Sequence, residues 1–132
     1  MIGLYVLEKL GLYRSLDYNH KRFERLASKC NKIEAIFWSA AYFELSKHGV
    51  LTPQLKASGY RLDFGLEGDG FNLAIEIDGH DYHKTRAQRQ ADYQRERNLQ
   101  KRGWRFIRFT GSDIYGDVQG CVKEVVNIVR GY

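Results

Sequence analysis

Apolar and polar positions change period several times along this chain, and each change marks an element. Tyr60, Leu62, Phe64 and Leu66 alternate with polar or small residues, and Phe71, Leu73, Ile75 and Ile77 do the same. A two-residue period is that of half-buried strands. Asp69-Gly70 between the two runs is a hairpin signal. Upstream, Ile33, Phe37, Ala40 or Ala41 and Leu45 recur at helical spacing. Asn31 supplies the N-cap, Glu34 stands three places later as in a capping box, and Gly49 closes the far end. Asp17 to Ser28 reads as a short helix through Leu16, Phe23 and Leu26, while residues 1 to about 13 are apolar without an assignable period. Downstream, Lys84 to Arg102 is dense in charge and stops at Gly103, as a solvated helix does. Trp104 to Thr110 is a third strand. Asp117 caps a last helix whose Val118, Val122, Val125, Val126 and Val129 face inward. The expected order is α-β-β-α-β-α, an α/β domain in which a small mixed sheet is flanked by helices.

Length and composition narrow this picture without changing it. A chain of 132 residues with a single Pro, no repeat and no low-complexity run is expected to form one domain over 1–132. Residues 1–30 would be an N-terminal extension packed on a core of 31–130. No apolar run approaches the roughly 20 residues of a membrane span. The apolar start lacks a basic leader and is broken by Glu8 and Lys9, so a secretory signal is not expected. Cys30 and Cys121 match no metal spacing; two reduced thiols fit a cytoplasmic setting, and one disulfide stays open. A net charge of +5 and a pI of about 9.2 point to an anionic partner, nucleic acid first; no membrane partner is expected.

Candidate chemistry enters through the hairpin. If Asp69 and Gly70 form its loop, Gly68 pairs with Phe71, Gly65 with Ala74, Asp63 with Glu76 and Arg61 with Asp78. Opposed residues share a face, so one face is apolar and the other carries two facing carboxylates with small residues beside them. A three-residue loop would set Asp63 against Ile75 and mix the faces, so the alternation selects the first register. Like charges across a ladder are destabilising, and a divalent cation is the simplest compensation. A solvated face with each acid balanced by a surface Arg is the alternative. Glu34 shares a stripe with Phe37, Ala41 and Leu45 and so points to the sheet, which a capping role does not exclude.

Taken together, KIEAIFW, TPQ, YRLDF, AIEIDGHDYH and QRQADYQRERNLQKRGWRFIRFTGSDIY resemble the PD-(D/E)XK nuclease superfamily. Within it they look like small bacterial domains related to the very-short-patch repair endonuclease. The resemblance runs from Lys32 to Arg130. It implies a restriction-endonuclease-like fold, Asp63 and Glu76 as Mg2+ ligands with Glu34 as the helical acid, and Mn2+ as a substitute ion. The superfamily commonly has Lys two residues after the second-strand acid, where this chain has Asp78. Relatives with the Glu-x-Asp-Gly form share that departure. Lys84, Gln88 or Arg89 could take the vacant role, and Asp78 could be a further ligand or pair with Arg61. The resemblance also suggests His83, and less so His80, as a general base; packing against Tyr82 is the plainer reading.

Lys84, Arg86, Arg89, Arg95 and Arg97, and Arg108 on the third strand, follow the acids as candidate phosphate contacts, with Asp92 and Glu96 tying up part of that charge. The expected function is a Mg2+-dependent endonuclease hydrolysing DNA phosphodiesters in repair, restriction or mobile-element processing. Its expected partners are DNA, a helicase or other repair protein, and a second copy in a homodimer. The alternative is a catalytically impaired nuclease-fold module that binds DNA within a helicase or repair assembly.

Overall fold

The computed structural model describes residues 19–79 and 84–131. A first helix, α1, is described over 19–27 and is followed by α2 (Lys32–Leu45). Three strands come next, β1 (Val50–Ala57), β2 (Tyr60–Gly68) and β3 (Phe71–Asp78). Then α3 (Arg86–Lys101), β4 (Trp104–Thr110) and α4 (Gly111–Arg130) complete the order. The sheet runs β1-β2-β3-β4, antiparallel except for the β3–β4 pair, which α3 connects as a parallel crossover. The α/β class and the flanked mixed sheet are those the period changes predict. The addition is β1, an edge strand whose Pro53 lacks an N–H and whose residues do not alternate, so no strand signal reaches the sequence.

Two apolar layers sandwich the sheet. Phe64, Leu66, Leu73, Ile75 and Ile77 pack with Phe37, Trp38, Leu45 and the valines of α4 on one side. Leu62, Ala74 and Trp104 pack with Leu99 of α3 on the other. The buried stripe of α2 is Glu34, Phe37, Trp38, Ala41, Tyr42 and Leu45, so an acid lies on its apolar face. Phe23 of α1 stacks on Trp38 at 5.7 Å, and Arg22 donates to the Leu51 carbonyl and the Thr52 hydroxyl, tying α1 to the edge strand.

Helix ends follow the expected caps with two differences. Asn31 and Glu34 form the capping box of α2, but the helix stops at Leu45 with Ser46 as its cap. Gly49 instead leads into β1, where an added Cβ would stand 2.5 Å from the Glu67 carbonyl oxygen. Asp117 does cap a helical segment, accepting from the Gly120 N–H, but a further turn from Gly111 capped by Thr110 precedes it, and α4 kinks at Asp117. Both cysteines are free thiols.

Candidate active site

The expected hairpin register holds from Gly68–Phe71 to Phe64–Ile75, and there the backbone ladder stops. Beyond it side chains cross the gap. The Asp63 N–H donates to Glu76 Oε2 at 3.0 Å, and the Ile77 N–H donates to Asp63 Oδ2 at 2.9 Å. Asp63 and Glu76 therefore meet as predicted, but with each carboxylate taking a backbone N–H of the opposite strand rather than as a flat cross-strand pair. The alternation of β2 slips at the same point. Leu62 packs beneath α3 while Phe64 packs beneath α2, although residues two apart in a regular strand share a face. This corrects the expectation of a single apolar face from Tyr60 to Leu66.

The slip has a partner on β1. Pairing runs Pro53–Phe64 and Leu55–Leu62 and skips Gln54 between them. Gln54 sits at φ 53°, a left-handed conformation uncommon for a residue with a side chain. Its Nε2 donates to Glu34 Oε1 at 3.3 Å, and the Asn31 N–H donates to the same oxygen at 3.0 Å. Among the described residues Glu34 and Glu76 are the only buried polar or charged side chains, at 6% and 4% exposure. Burying a carboxylate is costly unless its oxygens find partners. Those of Glu76 do: Oε2 accepts from the Asp63 N–H, and Oε1 lies 2.7 Å from Arg95 Nη2.

Arg95 comes from α3 and also donates to the Arg61 carbonyl at 3.0 Å. Beside it, Arg108 of β4 stands opposite Glu76 in the parallel register and reaches Glu96 at 2.8 Å and Asp78 at 3.7 Å. A cavity of about 700 Å3 opens over this group, walled by Asp63, Glu76, Asp78, Lys84, Arg95 and Arg108. Its wall mixes the cations Lys84, Arg95 and Arg108 with the three carboxylates.

Burial pushes the Asp63 carboxyl up to about 7, and the charges of Glu76 and Glu34 push the same way; the Ile77 N–H opposes them. The folded protein thus binds this proton more tightly than the unfolded chain, whose carboxyl titrates near 3.8. The stabilising contribution is complete below that lower value and is lost as pH rises through about 7. Melting temperature measured in EDTA should fall between about pH 4 and 7, the window those two values bracket, and Asp63→Asn should flatten the slope. An unchanged slope in the variant would contradict the assignment. Arg108 is moved upward: partial burial pulls it down, but Glu96, Asp78 and Glu76 together outweigh that and keep it charged.

Of the predicted site residues, the structure brings Asp63 and Glu76 into contact, with Glu34, held by Gln54 and Asn31, near enough for its charge to act on Asp63. Asp78 is exposed at the end of β3 with Arg108, not Arg61, as its partner. Lys84 is paired with Asp92 at 2.7 Å, and Gln88 closes the capping box of α3 with Thr85. Arg86, Arg89 and Arg97 are exposed on α3, whereas Arg95 turns inward. His80 and His83 lie outside the described residues. Among those described, no group of three or more His, Cys, Asp or Glu side chains is gathered closely enough to hold a metal ion.

Sequence reasoning did not single out Gln54, and it offered Arg108 only as one of several phosphate-contacting cations, not as the neighbour of Glu76 and Asp78. Laying β4 beside β3 in parallel would have set Arg108 against Glu76. The TPQ triplet marked Gln54 only as part of a resemblance.

A family model, REase_MTES_1575, of restriction-endonuclease-like proteins, matches residues 37–129. The match takes in Asp63, Glu76, Arg95 and Arg108 and starts just after Glu34. No curated protein and no solved structure matches the chain.

Proposed function

The chain belongs to the REase_MTES_1575 family of restriction-endonuclease-like proteins, and from that premise we propose a metal-dependent endonuclease that hydrolyses DNA phosphodiester bonds. The observation that carries the reading is the contact between Asp63 and Glu76 at the mouth of a cavity rimmed by Lys84, Arg95 and Arg108. Mg2+ is commonly held by one or two carboxylates while keeping several waters, so this pair, with Glu34 behind it, fits the ion without a third adjacent ligand. Bound there, Mg2+ or Mn2+ supplies an activated water and neutralises charge on the phosphate.

The remaining work falls to the chain itself. Arg108 and Lys84 draw the phosphate to the cavity rim, and Gln54 holds Glu34 in line with the open end of the ladder. Arg95 fixes Glu76, and Arg108, 3.7 Å from Asp78, is the cation beside the position where the superfamily has Lys. His83 is proposed to take the proton of the attacking water, since imidazole titrates near neutral pH. The likeness of the motifs to very-short-patch repair endonucleases extends the proposal to repair, restriction or mobile-element processing in the cytoplasm. No helix among the described residues is long and apolar enough to cross a membrane.

A second reading, a DNA-binding module of the same fold that does not cleave, is favoured by one observation. Glu76 already has Arg95 on one oxygen, and an acid stands where the usual Lys would be. Supercoiled plasmid separates the two. The endonuclease converts it to open-circular or linear forms with Mg2+ or Mn2+ and not in EDTA. Intact plasmid in every condition, together with tight DNA binding, would leave only the second reading.

A further inference from the structure

Helix α3 presents a stripe that the proposed site does not use. Arg86, Arg89, Tyr93 and Arg97 follow one another at spacings of three, four and four, which sets them along one side of the helix. All four are exposed, Tyr93 by 61%. The opposite side faces the sheet through Leu99 and Arg95. Isolated exposed aromatics are ordinary. This one differs in its surroundings. A groove of about 240 Å3 runs past Arg89 and Tyr93 and shares Asp78, Lys84 and Arg108 with the wall of the larger cavity. The three acids in it are already engaged, Asp92 by Lys84, and Glu96 and Asp78 by Arg108. Arg86, Arg89 and Arg97 have no ion-pair partner among the described residues, and the Tyr93 ring has no ring partner there. Arg89 is therefore the groove's cation left without an acid, and Arg86 and Arg97 lie beside it on the same side of the helix.

From this juxtaposition we infer that Tyr93 is a stacking platform for an unpaired base next to the phosphate held at the Asp63/Glu76 site, so that the preferred substrate is DNA with a single-stranded segment. The inference rests on the proposed action on DNA and names the form of that DNA. An exposed aromatic face between cations is how single strands are held irrespective of sequence: the ring takes a base and the flanking Arg side chains take the phosphates on either side. In an intact duplex the bases are stacked on one another and offer no face to such a ring. A phosphate-only surface has no use for it.

Binding in EDTA separates this stacking role from cleavage. Fluorescence anisotropy compares a labelled single strand with a blunt duplex and an RNA strand of the same sequence. Wild type should bind the DNA single strand more tightly than the duplex. Tyr93→Ala should weaken single-strand binding about tenfold, the size of one lost base stack, with duplex binding changed less than about twofold. Tyr93→Phe should restore wild-type affinity, because the ring and not the hydroxyl carries the contact. Equal weakening on both DNAs, or none on either, overturns the platform while leaving the DNA reading standing. A Tyr93-dependent preference for RNA overturns the choice of DNA as substrate. Failure of the wild type to bind any of the three overturns the reading underneath.

Discussion

Asp63→Asn should reduce Mg2+-dependent plasmid cleavage about a thousandfold and, in the same protein, raise the melting temperature measured without metal. The first effect follows from removing one of two carboxylates that would hold the ion, whose charge stabilisation amounts to several kcal/mol at about 1.4 kcal/mol per tenfold in rate. The second follows from the folded structure itself. Asp63 is drawn into a partly buried place beside Glu76 and within the field of Glu34, which is why its carboxyl is pushed up to about 7. Asn keeps an oxygen to accept the Ile77 N–H and brings an NH2 that can donate to Glu76. Above about pH 7, where Asp63 has lost its proton, repulsion becomes attraction, a gain of about 1 kcal/mol on the scale of cross-strand charge pairs. Calorimetry in EDTA and a plasmid assay in Mg2+ test both halves on one sample. A variant that loses cleavage and is also less stable would show Asp63 to be structural, and the case for a metal site would fall with it.

Arg95→Ala should be the most destabilising single change among the charged residues of the site. The Arg95 side chain is 20% exposed and that of Glu76 5%, so truncation leaves a carboxylate buried without its cation. Breaking such a pair from one side costs about 3–5 kcal/mol when burial is complete, and partial exposure of Arg95 brings this towards about 2–3 kcal/mol. The control is the double change Arg95→Met with Glu76→Gln, which removes both charges and should recover most of the loss. Cleavage distinguishes positioning from plain support. Arg95→Lys keeps the charge but not the two-pronged contact to Glu76 and the Arg61 carbonyl. It should fold near the wild-type temperature and still cleave at least about tenfold more slowly. Full activity in the Lys variant would reduce Arg95 to a counter-ion.

Much of this was legible in the residues. Asp69-Gly70 and the flanking alternation set the register of β2 on β3 because a one-residue slip would have turned every apolar side chain to the wrong face. Asn31 with Glu34, and Asp117 before the valines, named helix starts because a cap is a local event between a side chain and an N–H three residues on. That Asp63 faces Glu76 followed from extending this register, although the backbone ladder itself ends one pair short of them.

What was hidden depended on a third partner. Strand β1 left no periodic trace, since Pro53 and the left-handed Gln54 interrupt it and its pairing comes from β2. The slip of β2 between Leu62 and Phe64 lies opposite that interruption, so the period of β2 alone predicted the wrong face for Leu62. Arg95 looked like one of several cations on a charged helix. Only the docking of α3 over the sheet turned it, and not Arg86, Arg89 or Arg97, onto Glu76.

By itself the sequence determined the α/β class, the hairpin register, the caps and the identity of the two facing acids, all consequences of period and short-range hydrogen bonding. Tertiary structure decided how those acids are held: an open ladder whose missing backbone bonds are replaced by carboxylates, a strained Gln54 that secures Glu34, and Arg95 and Arg108 brought in from other elements. The physical reason is range. Period and capping act over a few residues of one segment, whereas a buried charge is made tolerable only by groups that packing delivers from elsewhere in the chain.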